Sequence, residues 1–292
     1  MQEWIWLNGR VTALRDARIG VEDRGFQFGD GVYDVARLYR GRPYRFIEHL
    51  ERLAASAAGI EMELPLSVPE LADEIRRRLA GDDSDGIVYM QLTRGNAQRN
   101  HLYPAPELVP PTLLFFRREM PAPLTPVQQT PGLRLHATDD FRWKRCWIKS
   151  VSLLANVLAK NAAVRDGADE AVFIDNGVVT ECSVSNFAIV TDGGVVTHPA
   201  GNKVLGGITI QAVRDVAAEL GIAWEERPIQ LADALAAQEM FVTSTTREIG
   251  WVSHWDQRPI GSAKCGPVTQ ALHEAFVQSV RRETAADAVL TS

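Results

Sequence analysis

The sequence predicts an α+β protein in two domains, and three observations carry that expectation. Runs with the two-residue alternation of half-buried strands are interleaved with runs of helical spacing. Asn-Gly and glycine-rich turns separate neighbouring strand-like runs, the signature of antiparallel hairpins. A proline-rich stretch then divides the 292 residues into a smaller and a larger part. The expected division is a small α+β domain over residues 1–120, a linker over 121–131 and a larger domain over 132–292.

In the first part, Trp4-Ile5-Trp6-Leu7 and Val11-Thr12-Ala13-Leu14 flank Asn8-Gly9, which favours the positive φ angles of a tight turn. Asp23 to Gly31 is a glycine-punctuated loop leading into Val32 to Tyr39, whose alternation reads as a strand with Tyr33 near its start. Phe46 to Ala58 has helical spacing and ends at Gly59, and a second helix is expected from about Pro69 to Leu79 with Ser67 as its cap. Ile87 to Leu92 and Thr112 to Phe116 read as further strands. Four prolines among polar residues between Pro121 and Pro131 give the composition of a linker.

Beyond it, Val151 to Arg165 reads as a helix on which Leu153, Leu154, Val157, Leu158 and Ala162 share a face, with Gly167 as the stop. Ala171 to Ile174 and Val178 to Glu181 surround Asn176-Gly177, and Phe187 to Val190 and Val195 to His198 surround Asp192-Gly193-Gly194, giving two hairpins. Thr209 to Leu220 is a helix closed by Gly221, and a strand at Glu239 to Thr243 ends in a hydroxyl run.

Composition narrows the function. A net charge of −6 provides no basic footprint for nucleic acid or an anionic membrane surface, which favours a small metabolite as partner. Three cysteines without metal-ligand spacing fit a reducing compartment and imply no disulfide framework or structural zinc. The start of the chain has no signal-like segment and no run is long enough to span a membrane, so a cytoplasmic location is expected.

Several residues could carry chemistry. Lys149 follows Trp147 and Ile148 and precedes the apolar helix; partial desolvation there would lower its amine pKa and leave a neutral nucleophile, whereas a lone lysine is by default a surface group. Glu181 closes an apolar strand and reads either as a capping or salt-bridging carboxylate or as a partner for a ring nitrogen. Leu205-Gly206-Gly207-Ile208-Thr209 runs into a helix whose NH groups and the Thr209 hydroxyl could converge on a phosphate, or form a plain turn and N-cap. Ser244-Thr245-Thr246 at a strand end and Arg52 on its helix could add donors, or be a turn and a solvated arginine. Arg99 and His101 stand two apart in a polar loop and could face a substrate carboxylate, or water. The other histidines form no metal pattern, and no hydrolase elbow or Walker-type loop is visible.

In this order the segments resemble the fold-type IV pyridoxal phosphate enzymes, most closely the D-amino-acid aminotransferases. The matching stretches are Glu22 to Tyr33, Glu48 to Leu53, Thr93 to His101, Arg145 to Ser150, Val179 to Asn186, Gly207-Ile208-Thr209 and Phe241 to Thr246, spread across nearly the whole chain. The resemblance implies a small N-terminal α+β domain and a larger C-terminal pseudobarrel domain with pyridoxal 5'-phosphate between them. It implies that Lys149 forms the Schiff base and that Glu181 pairs with the pyridine nitrogen. Arg52, Ile208, Thr209, Ser244 and Thr245 would hold the phosphate, while Tyr33, Arg99 and His101 would form a carboxylate trap with the last two supplied by the neighbouring subunit of a homodimer. The implied reaction is ping-pong transamination between a D-amino acid, such as D-alanine or D-glutamate, and a 2-oxo acid, by way of pyridoxamine phosphate.

L-branched-chain aminotransferases, R-selective amine transaminases and aminodeoxychorismate lyase share the lysine and glutamate and stand as alternatives, discriminated by the loop from Arg94 to His101. A non-catalytic ligand-binding protein on the same fold is the alternative from another class. Two positions depart from the family pattern: Trp147 where an aspartate is frequent, and Gly206 where a larger residue is usual, the latter expected to loosen the phosphate loop.

Overall fold

A computed structural model describes residues 4–121 and 125–290 of the chain. Residues 122–124 of the expected linker lie outside the described residues. The chain divides into two compact units, one of residues 4–121 with Ile148–Leu153 and 286–290, the other of residues 125–147 with Leu154–Ala285.

The first unit is built on one antiparallel sheet. Strands β1 (Trp4–Leu7) and β2 (Arg10–Ala13) close on Asn8 and Gly9, at φ 46° and 83°, the two left-handed residues such a turn requires. Helix α1 (Arg24–Phe28) occupies the loop expected from Asp23 to Gly31, because the Asp23 carboxylate accepts the Gly25 N–H at 2.8 Å and Gly29, at φ 67°, ends the turn. Strands β3 (Gly31–Tyr39) and β4 (Arg42–Pro43), helices α2 (Phe46–Ala58) and α3 (Val68–Leu79), and strands β5 (Gly86–Thr93) and β6 (Thr112–Glu119) complete the unit. The strand order is β2-β1-β6-β5-β3-β4. Ser67 and Glu70 form a reciprocal capping box at the start of α3. Along β3 the two-residue period turns Val32, Asp34, Ala36 and Leu38 to the face covered by α2, which buries Phe46, Leu50, Leu53 and Ala57. That buried face of α2 also carries His49 and Ser56.

The second unit begins with β7 (Leu133–Asp139), then α4 (Leu154–Arg165), β8 (Glu170–Asp175), β9 (Val178–Cys182), β10 (Asn186–Thr191), β11 (Gly194–Thr197) and α5 (Ile208–Glu219). It continues through β12 (Trp224–Glu226), β13 (Ile229–Gln230), α6 (Leu231–Ala236), β14 (Glu239–Ser244), β15 (Glu248–Trp255), β16 (Arg258–Pro259) and α7 (Pro267–Leu290). The strands form one sheet in the order β12-β11-β10-β14-β15-β7-β8-β9-β13, with β16 beside β15. The sheet curls into a half-barrel around a core that includes Leu135, Val172, Phe187, Ile189, Val242 and Trp255. Both hairpins expected from Asn176-Gly177 and Asp192 to Gly194 form, the first with Asn176 and Gly177 at φ 52° and 79°.

Helix α4 differs from its expectation in start and face. It begins at Leu154 rather than Val151, because the Val151 N–H is donated to Gly31 O at 3.0 Å and Ser150 is bridged to Val32. Its buried residues are Ala159 and Ala163, seated on Ala171 and Phe173, while Leu154, Val157 and Leu158 are 71%, 51% and 56% exposed. Small residues let the helix approach the sheet closely, so the larger apolar side chains face outward. Gly167, at φ 77°, follows the last turn as expected.

No helix among the described residues is long and apolar enough to cross a membrane. Among the same residues no cluster of His, Cys, Asp or Glu could hold a metal ion.

Candidate active site

Lys149 is held by backbone on both sides. Its C=O accepts the Tyr33 N–H at 3.0 Å, Val32 and Ser150 form an antiparallel bridge, and its own N–H donates to Ser56 Oγ at 3.1 Å. Residues 149–151 thus lie along the start of β3 through a single β-bridge and its two flanking hydrogen bonds, fixed from the helix side by α2. The side chain is half-buried, with Nζ 4.5 Å from the centre of the Tyr33 ring. A cation over an aromatic face gains about 0.5–2 kcal/mol, so the ring helps to fix the amine. Tyr33 stacks in turn on Tyr89 at 5.7 Å, and Tyr89 on Phe116 at 5.1 Å. Burial pushes the Tyr89 hydroxyl up to about 12, and it stays neutral while donating to Gln91 Oε1.

One turn of α2 away from Ser56, Arg52 is clamped rather than solvated. Its Nε and Nη2 donate to the two carboxylate oxygens of Asp34 at 2.8 Å each, a bidentate fork, and His49 Nδ1 lies 2.7 Å from Asp34 Oδ1. Asp34 has no exposed surface. Burial alone would raise its pKa, but Arg52 and His49 outweigh it and hold the carboxyl well below its ordinary value. Burial also lowers the proton affinity of His49, opposed by Asp34 and assisted by Arg52 and Lys149. Asp34 and His49 were absent from the sequence expectation. An acid on the covered face of an apolar strand was the available signal, since a buried charge must be paired.

The loop bearing Arg99 and His101 is braced from beneath. Arg24, buried, donates to Asp30 at 2.7 Å and to the carbonyls of Asn100 and Leu102 at 2.6 and 3.3 Å; Arg94 donates to the same Asp30 oxygen at 2.8 Å. Asp23 accepts from Thr93 and Thr112 hydroxyls at 2.9 and 2.8 Å. The glycine-punctuated motif from Asp23 to Gly31 is therefore the mounting of this loop. Arg99 and His101 are exposed and gather around Phe28, the guanidinium 4.4 Å and the imidazole 5.5 Å from its ring centre. Within the described residues their contacts are with Phe28, whereas those of Tyr33 are with Lys149 and Tyr89.

In the second unit, Glu181 sits at the end of β9 and is 6% exposed. Arg142 Nη1 donates to its Oε1, while its Oε2 accepts from Leu205 N at 3.1 Å and Asn186 Nδ2 at 3.3 Å. Arg142 is also gripped by Asp140 through two bonds of 2.9 and 2.8 Å and donates to Lys203 O at 2.9 Å. Asn186 Nδ2 reaches Leu205 O at 2.8 Å, so the carboxylate and the loop before α5 are one hydrogen-bonded assembly.

Helix α5 starts at Ile208 with Gly207 as its N-cap and no side-chain cap, leaving its first N–H groups to other acceptors, and Thr209 is buried in the first turn. A Cβ at Gly207 would collide with Asn186 Oδ1, whereas one at Gly206 would meet only ordinary contacts at 3.6 Å and beyond. Ser244 ends β14 and Thr245 follows in the turn to β15, both half-buried; Ser244 Oγ accepts Arg247 N–H at 3.3 Å. Cys146 lies near Arg142 and Glu181, and burial pushes its thiol up to about 11, which keeps it a neutral bystander.

Each unit thus carries its own set of polar groups: an anchored amine and a clamped guanidinium in the first, and a buried carboxylate tied to an anion-receptive helix start in the second. Residues 31–255 match the family model for class IV amino-transferases, and the chain belongs to that family. It is an aminotransferase of the α+β fold expected from the sequence. The D-alanine aminotransferase of Listeria monocytogenes is 41% identical over 95% of this chain and 96% of its own. That of Bacillus licheniformis is 38% identical over 96% and 98%. Among solved structures, Escherichia coli branched-chain amino acid aminotransferase has a TM-score of 0.88 at 26% identity, covering 97% of this chain and 96% of its own. The T.th. branched-chain amino acid aminotransferase, with pyridoxamine 5'-phosphate, has a TM-score of 0.85 at 29% identity over 97% and 95%.

Proposed function

We propose that this protein is a pyridoxal 5'-phosphate-dependent D-amino-acid aminotransferase that moves the amino group between a D-amino acid such as D-alanine and a 2-oxo acid. The observation that carries the reading is the 41% identity to D-alanine aminotransferase along nearly the whole chain, in a sequence that keeps Lys149, Glu181 and the Arg99/His101 pair. The residues fit the cofactor by their donor chemistry. Lys149 supplies the amine, Glu181 an acceptor for the ring nitrogen, and Arg52 with the start of α5 the cation and N–H groups for a phosphate.

The cofactor, when bound, supplies an electron sink that acidifies the substrate Cα–H. Lys149 Nζ is the base that takes the Cα proton and the acid that gives one back, with its main chain fixed by the backbone clamp and its amine beside the Tyr33 ring. Glu181, engaged by Arg142, Leu205 N and Asn186, would serve as the hydrogen-bond acceptor for the ring nitrogen. Asp34 aims Arg52, and Ser244 and Thr245 add hydroxyl donors. Tyr33, Arg99 and His101 orient the substrate carboxylate and thereby select the hand of the substrate.

We place Arg99 and His101 in the active site of a partner copy. Their exposure, with that of Phe26, Leu102 and Leu108 at 78%, 75% and 80% in the same unit, supports a homodimer. Beyond that second copy, amino acids and 2-oxo acids are its small-molecule partners, and a cytoplasmic setting belongs to the same reading.

The test is pyruvate formation from D-alanine and 2-oxoglutarate, compared with L-alanine and L-valine under the same conditions. Turnover confined to the D-substrate supports the reading. Preference for L-valine would instead assign the branched-chain activity of the structural relatives.

A further inference from the structure

We infer that Arg142 is a positioning residue that sets the charge of Glu181 and through it the protonation of the cofactor's ring nitrogen. The inference rests on the proposed cofactor assignment and adds to it a residue that touches neither substrate nor cofactor in the scheme above. Three observations in one unit carry it.

First, Arg142, Asp140, Thr180 and Glu181 are all buried or nearly so, and the guanidinium joins the two carboxylates: Nε and Nη2 on Asp140, Nη1 on Glu181. Second, the arginine is itself fixed. Asp140 Oδ2 also accepts the Thr180 hydroxyl at 3.0 Å, Arg142 Nη2 donates to Lys203 O, and its guanidinium carbon lies 4.3 Å over the Phe173 ring. Third, one guanidinium between two carboxylates leaves the cluster a single negative charge, which a protonated ring nitrogen would neutralise.

The physical consequence follows from burial. A carboxylate this enclosed stays ionised only when a charge or several donors oppose its desolvation. Leu205 N and Asn186 Nδ2 serve one oxygen of Glu181, and Arg142 serves the other. Without Arg142 the buried cluster would lose the positive charge that its two carboxylates share, and the proton affinity of Glu181 would rise. A protonated Glu181 no longer draws a proton to the ring nitrogen, so the cofactor would lose both its grip and its strength as an electron sink. Arg142 thus acts on the chemistry through Glu181, with Asp140 and Thr180 as its seat.

The experiment loads the full-length protein with pyridoxal phosphate labelled with 15N in the ring, and reads the ring-nitrogen shift against pH together with cofactor affinity. Wild type is expected to hold the nitrogen protonated through neutral pH. Arg142→Gln is expected to lose that proton at lower pH and to bind the cofactor about 10- to 100-fold more weakly, the scale seen when a residue supporting a ligating group is removed. Arg142→Lys should recover part of both. Adding Arg142→Gln to Glu181→Gln should change little, because the arginine acts through the glutamate.

A titration for Arg142→Gln that matches wild type overturns the inference, and so does a double variant in which the two effects add. Should Arg142→Gln fail to fold, Arg142→Lys is read in its place: it keeps a positive charge but cannot bridge both carboxylates, and must lower the pH at which the ring nitrogen deprotonates. An unchanged titration there also overturns the inference. A wild-type protein that takes up no pyridoxal phosphate removes the functional reading and this inference together, whereas loading of wild type with indifferent variants removes only the inference.

Discussion

Replacing Asp34 with asparagine separates a carboxylate that organises the first unit from one that merely happens to be buried. The side chain keeps its size but loses its charge and one acceptor, and its new NH2 group would face the donors of Arg52. Three contacts are at stake, the two 2.8 Å bonds from Arg52 and the 2.7 Å contact with His49, around a carboxylate with no solvent exposure. Removing one member of a buried ion pair costs about 3–5 kcal/mol when the other charge is trapped. The Arg52 side chain is 12% exposed and can turn partly to water, which places the expected loss at about 3 kcal/mol. Urea unfolding followed by tryptophan fluorescence should show a lower midpoint with little change in slope.

The pH dependence gives an independent check on the same carboxylate. The folded protein binds the Asp34 proton more weakly than the unfolded chain, so its contribution is complete above the ordinary value of 3.8 and is lost as pH falls below it toward the folded value. The gap between wild type and Asp34→Asn should therefore narrow on acidification through that range. A loss under about 0.5 kcal/mol near neutral pH, the size of an ordinary surface change, or a gap that stays constant in acid, would refute the reasoning.

Lys149→Ala should lower the rate of D-alanine conversion by at least about 10²- to 10⁴-fold, the usual share of a positioned acid–base group, with little change in melting temperature because the backbone clamp remains; substantial residual turnover would remove Lys149 from the proton transfer. Gly207→Ala, whose methyl group would press on Asn186 between Glu181 and Leu205, should destabilise by about 1–3 kcal/mol and weaken cofactor retention, while Gly206→Ala should be tolerated and gain up to about 1 kcal/mol. Thermal melts and dialysis against cofactor-free buffer distinguish the two, and equal behaviour would contradict the packing argument. Ser67→Ala should cost about 1 kcal/mol in thermal unfolding through loss of the capping box, without any change in turnover.

Most of the fold was legible because its signals are local. Asn8-Gly9 and Asn176-Gly177 demand positive φ, and both hairpins are where these dipeptides put them. Phe46 to Ala58 and Ser67 to Leu79 were readable from period and cap alone. Strand β7, and strand β15 with its buried Trp251 and Trp255, carried no such punctuation and went unread; their pairing with each other is parallel and joins residues more than a hundred positions apart. The face of α4 was misjudged for a related reason. Leu154, Val157 and Leu158 share a helical stripe, but sequence period does not say which stripe meets the sheet, and Ala159 and Ala163 fit closer.

At the candidate site, the residues named from the sequence lie in motifs, whereas their partners do not. Arg52 and Lys149 stand in recognisable segments, yet Asp34, Ser56 and Arg142 become meaningful only when strand, helix and loop come together. Trp147, a departure from the family pattern, is half-buried beside Cys146 and Ile148, and no distinct role for it follows from the structure.

The most direct test of the central claim is a visible-absorption titration of the cofactor-loaded protein, without an amino acceptor, using D-alanine and then, on a fresh sample, L-alanine. D-alanine alone should bleach the visible band and release one equivalent of pyruvate per active site, and a 2-oxo acid should restore the band. Bleaching by L-alanine would contradict the role given to Arg99 and His101, and a protein that forms no visible band with pyridoxal phosphate would contradict the assignment of Lys149 itself.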